Sequence, residues 1–222
     1  MPYRELLDEL ESYADINYAT FHKRLLKNDN INLIGVRTPQ LRKIAKKYKS
    51  NVDELLTFPD DYYEVTFMKL TTVSLLEYVE FIKYVDKCVP LIDNWATCDC
   101  FVPKCIVKHR QDFLPYIYKY AEAEREFYQR FALTTLLHFY AEEQYSLIIF
   151  SLIEKCNREL YYVHMAAAWL IAEALVKFYD VAKDFLLKNS LDSKTHNKAI
   201  QKAVESFRLT EEQKIFLKGI KR

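Results

Sequence analysis

Phe127–Leu137 reads F-Y-Q-R-F-A-L-T-T-L-L, and two later stretches fall into register with it: Y-Y-V-H-M-A-A-A-W-L-I from Tyr161 and T-H-N-K-A-I-Q-K-A-V-E from Thr195. Arg130, His164 and Lys198 share one position of this register, a step of 34 residues. Ala132, Ala166 and Ile200 share a second, and Leu136, Leu170 and Val204 a third. Between these stretches lie further helical patterns, Glu143–Lys155 and Val181–Lys188. The repeating unit is therefore a helical hairpin, of a length that marks α-solenoids. Stacked hairpins curve, and their second helices line the concave side. The expected fold is an all-α superhelical solenoid in one domain, residues 1–222, with Arg130, His164 and Lys198 as a ladder of donors down a concave basic groove.

Composition agrees with that fold class. Half of the 222 residues are apolar, enough for one sizeable core, and only Gly35 and Gly219 are glycine. So few glycines leave little material for hairpins or tight βα turns. No apolar run reaches the roughly 18 residues that a membrane span needs, and M-P-Y-R-E-L-L is no signal peptide. A bacterial-type cytoplasmic protein without a membrane partner is expected. Cys88, Cys98, Cys100, Cys105 and Cys156 are odd in number and lack framework spacing, so disulfides are not expected. Cys98, Cys100, Cys105 and His109 could be counted as zinc ligands, but Cys98 and Cys100 point to nearly opposite sides of a helix. Small apolar thiols in a helix bundle are the preferred reading, with no metal.

The formal net charge of +1 conceals segregation. Arg37, Arg42, Lys43, Lys46, Lys47 and Lys49 lie between Ile31 and Ser50 with no acid among them. The tail from Leu191 carries Lys194, Lys198, Lys202, Arg208, Lys214, Lys218, Lys221 and Arg222 against four acids. Acids collect at Asp53–Glu64 and Asp112–Glu159. A cationic strip on a nearly neutral protein suits a polyanion such as DNA, whose affinity comes largely from counterion release.

In order, the chain predicts helices over Tyr3–Tyr13 and Tyr18–Lys27, a polar loop Asn28–Asn32, then Pro39–Tyr48 with Thr38 as N-cap. Helices follow over Val52–Thr57, Asp60–Val73 and Leu75–Cys88. Next comes N-W-A-T-C-D-C-F, Asn94–Phe101, whose helix sets Trp95 and Asp99 one turn apart on one face. An ionised carboxylate out of water requires a cation opposite it, from the protein or a ligand.

These stretches together resemble the HEAT-like-repeat family of DNA alkylation repair enzymes, the AlkD-type alkylpurine DNA glycosylases. The likeness runs from Gly35 to Phe207 and rests on G-V-R-T-P-Q-L-R-K-I-A-K at Gly35, W-A-T-C-D at Trp95, R-F-A at Arg130, and the Tyr161 stretch ending in Trp169. The resemblance implies that Trp95, Asp99, Arg130 and Trp169 surround the damaged nucleotide, with the base not flipped into a pocket. Many relatives carry a second acid where this chain has Ala96, a tryptophan at Asn94, and arginine or lysine at His164.

The implied activity is excision of cationic N3- or N7-alkylated purines from double-stranded DNA by a monomer without cofactor. Arg37, Arg42, Lys46, His164, Lys198 and Lys202 are the expected phosphate contacts. Blander readings stay open for each residue. Trp95 and Trp169 alone would be groove or core aromatics, Asp99 could pair with Lys104, and Arg130 could bridge Glu126. The runner-up function is a non-catalytic HEAT-like module that binds distorted or branched DNA, and a protein-binding solenoid is weaker still.

Overall fold

A computed structural model describes residues 3–26, 30–188 and 190–222. Among them the chain is helical throughout, with no strand. It groups into two compact units, residues 1–109 and 110–222.

The first unit is built around α5 (Tyr63–Val73). Ten of its eleven residues are buried, so it shows no polar face to solvent and other helices wrap it. Against it pack α3 (Thr38–Lys47), α4 (Val52–Thr57), α6 (Tyr78–Cys88) and α7 (Trp95–Cys100). The unit begins with α1 (Tyr3–Glu11) and α2 (Ile16–Leu26).

Two charges are sunk in α5, and each is fully occupied. The Glu64 carboxylate, 1 % exposed, accepts the backbone N–H groups of Ile34 (3.0 Å), Gly35 (2.8 Å) and Val36 (3.3 Å). Three consecutive amides curl around it because Gly35 sits at φ +95°. A Cβ there would lie 2.2 Å from the Asp15 carbonyl oxygen, so only glycine fits. Lys69, also 1 % exposed, donates to the Phe58 carbonyl and to Asp60 at 2.9 Å. These bonds satisfy groups that would otherwise cost several kcal/mol each in the interior. They also fix the chain that enters α3, which Thr72 ties to α5 by donating to the Ala45 carbonyl at 3.1 Å.

Helix starts are later than the sequence pattern predicts in two places. Asp60 serves the Thr66 hydroxyl (2.7 Å) and Lys69, so it lies outside α5, which begins at Tyr63. Ser74 ends α5 and Glu77 holds the N-cap position of α6 without a side-chain bond, so Leu75 and Leu76 form a turn. At α3 the N-cap is Arg37 and not Thr38, and no side chain caps it. Lys27, and Asn28 and Asp29 of the Asn28–Asn32 loop, lie outside the described residues.

The second unit contains α8 (Arg110–Ala121), α9 (Glu126–Phe139), α10 (Ser146–Lys155), α11 (Tyr161–Lys177), α12 (Tyr179–Leu187), α13 (Ser193–Val204) and α14 (Glu211–Gly219). α9, α11 and α13, which carry the three aligned stretches, pack side by side in that order. α10 contacts α8, α9 and α12, so α8, α10 and α12 form a second row behind the first. Side-chain bonds bridge the helices at separations close to the repeat. Lys155 pairs with Glu122 (3.1 Å), Arg158 with Asp192 (3.0 Å), and Arg208 with Glu173 (2.8 Å). The aligned positions Ala132, Ala166 and Ile200 are all buried, as are Leu136 and Leu170.

Candidate functional site

In the first unit the site grows from α7. At six residues this helix is too short to stand alone, and its N-terminus is held by Asn94, whose Oδ1 accepts from the Thr97 N–H at 3.0 Å. Thr97 returns a bond to the Asn94 carbonyl at 3.1 Å, and Asn94 itself is 2 % exposed. Ala96 faces inward and belongs to the core with Phe67 and Met68. Asn94 and Ala96 are thus a cap and a core contact. An acid at position 96 would be aimed into that core.

Trp95 is half-buried, packs on the same core, and donates from Nε1 to the Leu25 carbonyl at 3.2 Å. Leu25 stands in the last turn of α2, where carbonyls lack helical partners, so the indole caps one of them. Asp99, one turn on, lines a cavity of about 730 Å³. Around that cavity stand Arg42 and Lys46 from α3, Lys104 and Lys108 from the 3-10 turn after α7, and His109, which stacks on Tyr78 at 4.1 Å. Glu77 is the other acid on the wall. The structure therefore brings Asp99, Arg42 and Lys46 to one hollow, and it adds Lys104 and His109, which spacing alone suggested only as a pairing partner and a metal ligand, and Lys108, which the sequence did not single out. Burial pushes the Cys100 thiol on this wall upward, partly offset by the Arg42 guanidinium beside it. Three further thiols are pushed up mainly by burial, Cys105 to about 11 and Cys88 and Cys156 to about 12, and none of these three is a ready nucleophile.

Arg37 lies elsewhere, paired with Asp15 at 2.9 Å and set over the Tyr18 ring at 4.8 Å.

In the second unit the ladder residues sit on adjacent helices but differ in exposure. Arg130 is 5 % exposed, donates from Nη1 to the Tyr162 carbonyl at 2.9 Å, and lies over the Tyr162 ring at 5.7 Å. Glu126 accepts the Tyr162 N–H at 2.6 Å, so both members of the pair foreseen from spacing act on the first turn of α11. His164 is 3 % exposed, with Nδ1 3.1 Å from the Thr195 hydroxyl. Burial, and then Lys194, hold its pKa below the ordinary value, so it is a neutral member of the ladder at pH 7. Lys198 is half-exposed and donates to Gln201 at 3.1 Å, and Lys202 is half-exposed one turn later. His164 and Lys198 share a cavity of about 330 Å³. Trp169 is half-buried and meets His138 edge-on at 6.2 Å, a neighbour that no pattern in the sequence flagged.

The chain matches the family described as DNA alkylation repair enzyme over residues 6–207, and it belongs to that family. Membership points to an enzyme of alkylation repair with DNA as substrate. A search of curated proteins finds no match. No helix among the described residues is long and apolar enough to cross a membrane.

Proposed function

We propose that this protein is a DNA glycosylase that excises cationic N3- or N7-alkylated purines from double-stranded DNA without flipping the base, on a single solenoid of HEAT-like repeats. The observation that carries the reading is the presence of Asp99 in a hollow that Arg42, Lys46, Lys104 and Lys108 also line, with His109 and a second acid, Glu77, on the wall. Cations in that arrangement suit two or more backbone phosphates, and phosphates neutralise them. In this reading Asp99 faces the deoxyribose between the phosphates.

The chemistry needs little more. An N3- or N7-alkylpurine already carries positive charge, so it departs as a neutral base when the C1′–N bond breaks, and no general acid is required. Positive charge then develops on C1′ and O4′ of the sugar. Asp99 stabilises that charge and orients the water whose oxygen bonds to C1′ as its proton passes to solvent. Preorganised contacts of this kind are worth roughly 10²–10³ in rate. Trp95 and Trp169 would offer ring faces to positive charge, about 0.5–2 kcal/mol each. Arg130 would act on the DNA backbone, directly or through the first turn of α11 that it holds. Arg37, Lys198 and Lys202 add phosphate contacts.

The test is release of free base from methylated duplex DNA by the wild-type chain. Methylpurine should appear, and uracil in the same duplex should stay, because a neutral base leaves poorly without an acid. Release of uracil would contradict the mechanism. DNA binding without any release would transfer the case to a module that recognises distorted DNA.

A further inference from the structure

The segment after α14, Ile220–Arg222, lies beyond the residues matched by the family, yet it is fastened along its length. His196, 1 % exposed on α13, donates from Nε2 to the Ile220 carbonyl at 2.9 Å. Asn197 accepts the Arg222 N–H at 2.9 Å and donates back to the Arg222 carbonyl. The Arg222 guanidinium donates to the carbonyls of Leu191 (2.8 Å) and Leu186 (3.0 Å). Leu186 stands in the last turn of α12, so the arginine satisfies a carbonyl that the helix leaves unpaired.

Lys221 is held between these two anchored residues. It lies on the wall of the 330 Å³ cavity together with Lys194, Lys198 and His164, and the described residues that line this cavity include no acid. Asp192, two residues before Lys194, is already engaged by Arg158 at 3.0 Å and by the Thr195 N–H at 2.7 Å. Three ammonium groups around one hollow repel each other, and an anion in the hollow reverses the sign of that interaction. A solvated lysine face would not require a five-bond latch to fix one of its members.

We propose that this hollow binds a backbone phosphate of duplex DNA, with Lys194, Lys198 and Lys221 as the contacts and Arg222 as the positioning residue that sets Lys221. The inference rests on the DNA-binding half of the function proposed above and not on the excision step. It extends the phosphate contacts to a part of the chain outside the family pattern.

Binding of the full chain to a short undamaged duplex, measured across a sodium chloride series, tests it. Lys221→Gln should lower the salt slope by about one and weaken binding alike for all sequences. Arg222→Ala should reproduce that loss, and the pair of changes together should lose no more than Lys221→Gln alone. Wild-type slopes for both Lys221→Gln and Lys194→Gln would overturn the site. A reduced slope for Lys221→Gln with an unchanged one for Arg222→Ala would overturn the positioning role. Lys221 is exposed, so its variant remains informative even where Arg222→Ala loosens α14. Wild type that binds with the expected slope but releases no base would sink the glycosylase and leave this site standing.

Discussion

Two residues decide whether α3 is presented at all. Gly35 is held at φ +95° with no room for a Cβ, and Glu64 supplies the carboxylate that three amides enclose. Gly35→Ala should destabilise the fold by about 1–3 kcal/mol, because the backbone must either stay strained or abandon the Glu64 bonds. Glu64→Gln should cost a similar amount, about 1–3 kcal/mol, since an amide nitrogen would then confront backbone N–H donors. Urea denaturation would show both as lower midpoints, and unchanged midpoints would contradict the account. Trp95 carries a structural role that can be separated from the chemical role proposed for it. Trp95→Phe keeps an aromatic face but drops the bond to the Leu25 carbonyl, so stability should fall by about 0.5–1.5 kcal/mol while excision falls less than it does for Trp95→Ala.

At the scale of elements, the candidate site is a short helix and a basic helix mounted on a buried one. α7 depends on its cap, so Asn94→Ala should lower stability by about 0.5–2 kcal/mol. It should also slow excision by misplacing Asp99; a variant with the lost stability but the full rate would show that α7 is held by packing alone. The existence and order of these helices were legible from spacing, and the 34-residue register correctly placed α9, α11 and α13 as neighbours. What was not legible is which polar residues end up inside. Arg130 and His164 look like groove donors on a repeat alignment, yet they are 5 % and 3 % exposed, because periodicity reports a face and not the depth at which a neighbouring helix covers it. The Asn94–Phe101 motif draws attention to Trp95 and Asp99. Lys104, Lys108 and His109 join Asp99 on one cavity wall only through the turn after α7, which has no period to read.

Across the whole molecule, three buried histidines set the response to acid. His22, His164 and His196 all have pKa values below the ordinary 6.5, in each case chiefly through burial. The unfolded chain therefore binds more protons than the folded one below about pH 6.5, so stability is complete above that value and is lost as pH falls beneath it. Melting at pH 7.5 and 5.5 should show the lower transition at 5.5, and a flat profile would mean that these imidazoles are not held neutral. Asp15 and Asp192, whose pKa values are lowered by hydrogen bonds and by Arg37 and Arg158, add a separate loss only below the usual carboxylate range. The charge pattern read from the sequence reappears as two lysine-rich cavities, one in each unit, and the first of them contains Asp99. The role given to that carboxylate is the centre of the account. Single-turnover release of a cationic methylpurine by Asp99→Asn tests it most directly, since the amide keeps the shape and removes the charge. The rate should fall by roughly 10²–10³ with duplex affinity nearly unchanged, and an Asp99→Asn protein as fast as wild type would contradict it.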